Sequence, residues 1–133
     1  MIELRAQHLH QMFSDYEKSL SILGKYVDRV IKSELESAGI IHFFEVSFDL
    51  AAKMIRDYLE TQGYQAESPR EVFKKALDTG IIENGHVWMD ALADRQLTSQ
   101  NYEIKFVEKL VKDISALYFP ELKKLHEKLN GEV

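Results

Sequence analysis

Ile41-His42-Phe43-Phe44-Glu45-Val46-Ser47-Phe48-Asp49-Leu50-Ala51-Ala52-Lys53-Met54-Ile55-Arg56-Asp57-Tyr58-Leu59 is the stretch that decides the fold. Ile41, Phe44, Phe48, Ala51, Ile55, Tyr58 and Leu59 recur at steps of three and four, which places them on one face of an α-helix. The helix is expected to run from about Glu34 to Thr61, with Gly63 as its stop signal. Glu45 interrupts the apolar stripe, four residues after Ile41 and three before Phe48.

Upstream, Leu9, Met12, Phe13, Tyr16, Leu20, Leu23, Val27, Val30 and Ile31 keep a helical period. They predict one long first helix or two stacked segments, with a break expected at Gly24 if anywhere. Downstream, Ser68-Pro69-Arg70-Glu71 reads as a helix start: a capping serine, a proline at the first helical position and a glutamate able to reach back. That helix should end near Thr79-Gly80. Asn84-Gly85 is a turn, and a fourth helix is expected from His86 to Arg95. The last helix should begin near Asn101, carry Phe106, Leu110, Ile114 and Leu117, and be kinked or split by Pro120 before Leu122, Leu125 and Leu129. Strand-like alternation is nearly absent. The expected fold is all-α, an up-and-down four-helix-type bundle with an additional short helix.

With 133 residues the chain is expected to form a single domain with a substantial core. It has no cysteine, so disulfide and thiol chemistry are excluded. No run approaches the ~20 apolar residues of a membrane span, and the N-terminus lacks an apolar signal core, so the sequence reads as cytoplasmic with no membrane partner. A net charge of −5 argues against a general nucleic-acid binder. One local exception is Lys105, Lys109 and Lys112, which share a helix face and could meet RNA, although Glu108 and Asp113 dilute it. Gly-x-Gly-x-x-Gly and Gly-x4-Gly-Lys-Ser/Thr are both missing, as are the Gly-Ser and Asp-x-Asp of a nucleotidyltransferase. No cofactor and no metal site are expected: His8 and His10 point to different faces, His42 and His126 have no obvious partner, and Glu83-x-x-His86 occurs once with a turn inside it.

Arg95-Gln96-Leu97-Thr98-Ser99-Gln100-Asn101-Tyr102 carries the candidate site. Trp88, Leu92 and Arg95 fall at i, i+4 and i+7, so an apolar stripe ends in a guanidinium, which needs an acceptor if it leaves water. Glu45 and Arg95 thus interrupt the stripes of two helices. Either they form a structural ion pair, or one of them sits at the stripe's edge and reaches solvent.

Phe44-Glu45 followed by Phe48-Asp49-Leu50-Ala51, then Ser68-Pro69-Arg70-Glu71-Val72, Val87-Trp88, Asp94-Arg95 and Leu97-Thr98-Ser99-Gln100-Asn101-Tyr102 together resemble the nucleotidyltransferase substrate-binding protein family, a branch of the HEPN superfamily. The resemblance covers nearly the whole chain and implies one HEPN-type helical domain over residues 1–133. It further implies a homodimer that binds a separate minimal nucleotidyltransferase. Related members form toxin–antitoxin pairs in which the HEPN subunit is a metal-independent ribonuclease with the pattern Arg-x4-His-x-Tyr, silenced when the transferase attaches AMP to the tyrosine. On that pattern Arg95 matches the arginine and Tyr102 the tyrosine, the AMP acceptor. Gln100 stands where the family has histidine. A carboxamide cannot exchange a proton near neutral pH as imidazole does, and losing a positioned acid or base typically costs ~10²–10⁴ in rate. Restoring the pattern by Gln100→His is therefore expected to raise cleavage. Ala52, where many relatives carry Trp, and Gln96, where Asn is common, are smaller departures.

The favoured function is a non-catalytic or weakly catalytic subunit that binds the transferase and presents Tyr102 or helps form a nucleotide- or substrate-binding pocket. The competing readings are an active HEPN ribonuclease toxin and a purely structural helical dimer.

Overall fold

In a computed structural model of the chain, residues 2–101 and 103–133 are described. They fold as helices without strands. α1 spans Ile2–Tyr26, α2 Glu34–Thr61, α3 Pro69–Asp78, α4 Gly85–Leu97, α5 Ile104–Asp113 and α6 Phe119–Leu129, with one π-helical turn over Ile114–Tyr118 joining α5 to α6. The all-α bundle expected from the sequence is the fold observed, and α3 is the short additional helix.

α2 is its centre, packing against α1, α3, α5 and α6. Its ends fall at Glu34 and Thr61, where the stripe placed them. Ser33 caps it by accepting the Glu36 N–H at 3.1 Å, and the Glu36 carboxylate accepts the Lys32 N–H in return. α3 starts in the same way: Ser68 Oγ accepts the Glu71 N–H, and Glu71 reaches back to the Glu67 N–H. Phe44, Phe48, Ala51, Met54 and Ile55 from α2 meet Phe73 of α3, Trp88 of α4, Tyr118 of the π turn and Tyr16 of α1 in one apolar core. Phe48 stands at the middle of an aromatic cluster, 5.7 Å from Phe44, 5.3 Å from Phe73 and 6.0 Å from Trp88 between ring centroids. The Tyr16 hydroxyl donates to the Leu122 carbonyl at 2.5 Å, so its polar end is satisfied inside the core.

Four boundaries differ from expectation. α1 runs through Gly24 and stops at Tyr26, so Val30 and Ile31 leave the helix and Val30 is exposed. α4 starts one residue earlier than expected and continues to Leu97, and α5 starts at Ile104. The last rod is divided ahead of Pro120, as expected: α5 ends at Asp113 and α6 begins at Phe119. Pro120 lies in the first turn of α6, after a turn in which the Phe119 N–H donates to the Ile114 carbonyl five residues back. Proline lacks an N–H, and the wider turn places it where none is needed. The extra residue also shifts the register, so Tyr118 is buried where the sequence stripe put Leu117, which is 44% exposed.

That shift buries Glu121 as well. Its Oε2 lies 3.5 Å from Lys124 Nζ, while Oε1 has no hydrogen-bond partner among the described residues. A buried acceptor left unpaired costs about 1–3 kcal/mol. Glu121→Met is therefore expected to raise stability by ~1 kcal/mol, read as a higher urea midpoint at unchanged slope.

Candidate functional site at the α2–α4 junction

Glu45 and Asp49 stand one turn apart on α2, so their carboxylates project from the same flank. Arg95 lies in the last turn of α4, where a cation also suits the helix dipole, and Thr98 follows as its C-cap. Packing of the two helices brings these four side chains together. Arg95 Nε donates to Asp49 Oδ1 at 2.9 Å and Nη2 to Asp49 Oδ2 at 2.8 Å, a two-pronged pairing. Nη1 donates to Glu45 Oε2 at 2.9 Å and to Thr98 Oγ1 at 3.2 Å. The Thr98 hydroxyl is 2.8 Å from both Glu45 Oε2 and the Arg95 carbonyl, either of which can accept its proton.

All three guanidinium nitrogens donate, in four hydrogen bonds. The hydrogen bonds to Asp49 push the Arg95 pKa further above its ordinary value, more than partial burial lowers it. With two carboxylates around one guanidinium, the group carries more negative than positive charge.

Asp94, next to Arg95, faces the other way and accepts the Tyr118 hydroxyl at 2.5 Å, tying α4 to the π turn. Burial first, then this bond and the charges of Asp94, Asp113 and Asp90, raise the Tyr118 pKa well above 10. Burial alone raises Tyr16 similarly. Both phenols are thus kept neutral in the folded state. Their contribution to stability is complete below the unfolded value of about 10 and is lost as pH rises beyond it. In an alkaline titration followed by phenolate absorbance, Tyr16 and Tyr118 should ionise only as the chain unfolds. Tyr118→Phe should flatten the loss of stability above about pH 10.

The other sequence candidates lie apart from this cluster or outside the described residues. Gln100 is exposed in the turn after α4, its N–H donating to the Leu97 carbonyl at 3.0 Å. Tyr102 lies outside the described residues. Lys105, Lys109 and Lys112 are all exposed on α5. Lys109 is paired with Asp113 at 2.9 Å, and that bond, with the further charges of Asp94 and Asp90, raises its pKa. The lysine face is thus partly neutralised by its own acids. His126, which the sequence left without a partner, stacks on Phe13 and lies 2.7 Å from Glu17 Oε2. No group of three or more His, Cys, Asp or Glu among the described residues could hold a metal ion. Among the same residues, no helix is long and apolar enough to cross a membrane.

Asp49 and Thr98 were not singled out as site residues by the sequence. The signal was present in their spacing, four residues after Glu45 and three after Arg95.

Residues 11–131, which include every residue of this junction, match the family described as nucleotidyltransferase substrate binding protein like. The chain belongs to that family. A crystal structure of a protein from Thermus thermophilus shares the fold of this nucleotidyltransferase substrate binding protein-like chain, with a TM-score of 0.74 at 24% identity over 88% of this chain and 97% of that one. No curated protein matches the family member described here.

Proposed function

We propose that this chain is the substrate-binding subunit of a two-protein system, docking onto a separate minimal nucleotidyltransferase and performing no RNA cleavage of its own. Membership of the nucleotidyltransferase substrate binding protein-like family supports the partnership. The observation that carries the second half is the engagement of Arg95 by Asp49 and Glu45. A guanidinium that must neutralise a scissile phosphate needs free donors, and every nitrogen of this one is already bonded within the fold. Gln100 cannot take the proton of a ribose hydroxyl at neutral pH. Arg95 in this reading is a positioning residue that fixes the end of α4 and the turn leading to Tyr102. Tyr102 is the acceptor of AMP, with base and metal supplied by the transferase.

We further place a two-fold homodimer contact at this end of the bundle, where Leu97 and Ile104 are exposed on either side of the turn that follows Arg95. Sedimentation should show a dimer at tens of micromolar, a range of about that order being ordinary for a modest interface. A monomer throughout would remove the homodimer from the proposal.

The direct experiment is incubation with the cognate transferase and labelled ATP. Label is expected on the wild-type chain and not on Tyr102→Phe, and equal labelling of the two would exclude the tyrosine. In parallel, RNA incubated with the isolated chain in chelator should remain intact. Cleavage that disappears in Arg95→Ala would instead establish the ribonuclease reading.

A further inference from the structure

The π turn in the last rod comes with two visible costs. Leu117 is left 44% exposed, and Glu121 is buried with Oε1 unpaired among the described residues. A regular helix from α5 into α6 would have turned Leu117 inward, since one residue rotates a helix by about 100°. The wider turn faces Tyr118 inward instead, where it is 3% exposed and stacks on Phe44 with 5.5 Å between ring centroids. A departure from regular helix that costs stability is commonly kept for what it positions. Here it positions one polar atom. The Tyr118 hydroxyl is delivered to Asp94 Oδ2 at 2.5 Å.

Asp94 passes that contact on through the backbone. Its carbonyl accepts the Thr98 N–H at 3.1 Å, which closes the last turn of α4. The Leu97 carbonyl accepts the N–H groups of both Gln100 and Asn101, at 3.0 and 2.9 Å. Asn101 Oδ1 in turn accepts the Glu103 N–H at 3.0 Å, just ahead of α5. The residues that flank Tyr102 in the sequence are thus bonded back to the end of α4. That end is held on two sides. Arg95 ties it to Glu45 and Asp49 of α2, and Asp94 ties it to the π turn. Adjacent side chains leave a helix about 100° apart, so the two ties together oppose rotation of α4 about its axis, which neither does alone.

We infer that Tyr118 is a positioning residue: its bond to Asp94 fixes the rotation of the last turn of α4 and, through it, the segment that presents Tyr102 to the transferase. The inference rests on the proposed reading of Tyr102 as AMP acceptor for what the segment presents, and on geometry for what holds it. Tyr118 is buried, out of reach of a partner protein. It therefore acts on the rate of the reaction at Tyr102 and not on docking.

Tyr118→Phe keeps the ring and its stacking on Phe44 and removes the hydroxyl alone. In native-state hydrogen exchange of the full chain, the Thr98 and Asn101 amides should exchange ~10-fold faster in this variant, because their opening no longer has to break that bond. The Gly63 and Tyr64 amides, bonded to Glu60 and Leu59 in the turn after α2, should not change. A bond that only adds to overall stability would leave Thr98 and Asn101 as they are, since their local opening would not break it. With the cognate transferase and labelled ATP, kcat for labelling Tyr118→Phe should fall ~10-fold or more, at an unchanged KM for the chain. Asp94→Ala should match it, while Asp94→Asn, which keeps an oxygen for the hydroxyl, should retain most of the rate. Unchanged exchange at Thr98 and Asn101 overturns the inference. So does equal labelling of Tyr118→Phe and a labelled wild type, or a fall in Asp94→Asn as large as that in Asp94→Ala. A wild type that takes no label overturns the reading of Tyr102 and this inference together, so the two failures are told apart.

Discussion

Phe48→Ala is expected to destabilise the protein by about 4 kcal/mol, more than any other single change proposed for this chain. Phe48 is 2% exposed and touches aromatic rings from three other positions on two other helices and its own, so no one neighbour can move to close the space it leaves. Part of the cost is the lost transfer of the ring from water, and the remainder is the cavity between Phe44, Phe73 and Trp88. Domains of this size are stable by only about 5–15 kcal/mol, so the variant should be close to its unfolding transition at modest denaturant. Trp88, the only tryptophan, reports the change directly through its emission. Phe48→Leu, which keeps most of the volume, should cost less than half as much. Equal stability of Phe48→Ala and wild type in urea would show that the α2–α3–α4 contact does not hold the bundle together.

Arg95→Ala is expected to cost about 2 kcal/mol, between the 3–5 of breaking a buried pair and the 0–1 of an exposed one. The intermediate value follows from solvent access, since the Arg95, Glu45 and Asp49 side chains are 27%, 26% and 46% exposed. Removing the guanidinium leaves two carboxylates one turn apart with no cation between them, which water screens only in part. Arg95→Lys keeps the charge but loses the paired donors toward Asp49, so it should recover less than half of the loss. A cycle of Arg95→Ala, Asp49→Ala and the double variant should give a coupling of about 1 kcal/mol or more, and additive losses would mean that this pairing contributes nothing. The same variants separate structure from function. If Arg95 positions the turn before Tyr102, AMP labelling of Tyr102 should fall in Arg95→Ala more than in Glu121→Met, which changes stability at a distance from that turn.

Much of the fold could be read from local rules. Ser33 and Ser68 start α2 and α3 because a side-chain oxygen close to the first N–H groups needs no tertiary partner. The core face of α2 follows from a period of 3.6, a property of the backbone. Periodicity was less reliable where the helix itself changed form. The π turn inserts one residue and exchanges Leu117 for Tyr118 in the core, and no residue type near Ile114 announces it. Val30 and Ile31 continued the apolar spacing of α1, yet they lie beyond its end.

For the candidate site the division is similar. The sequence by itself marked Glu45 and Arg95 as charges set into apolar stripes, because that is a matter of spacing along one helix. It also determined that Gln100 cannot serve as a neutral-pH base, which is chemistry of a single side chain. Tertiary structure alone decided that Asp49 takes the paired donors of Arg95, that Thr98 closes the cluster, and that the guanidinium is spent within the fold. Those facts depend on how far α2 and α4 are rotated about their own axes when they pack. A rotation of one residue, about 100°, would have sent Asp49 to solvent and left Arg95 facing outward. Helix faces are written in the order of residues, whereas the meeting of two faces is fixed only by the packing of every side chain between them.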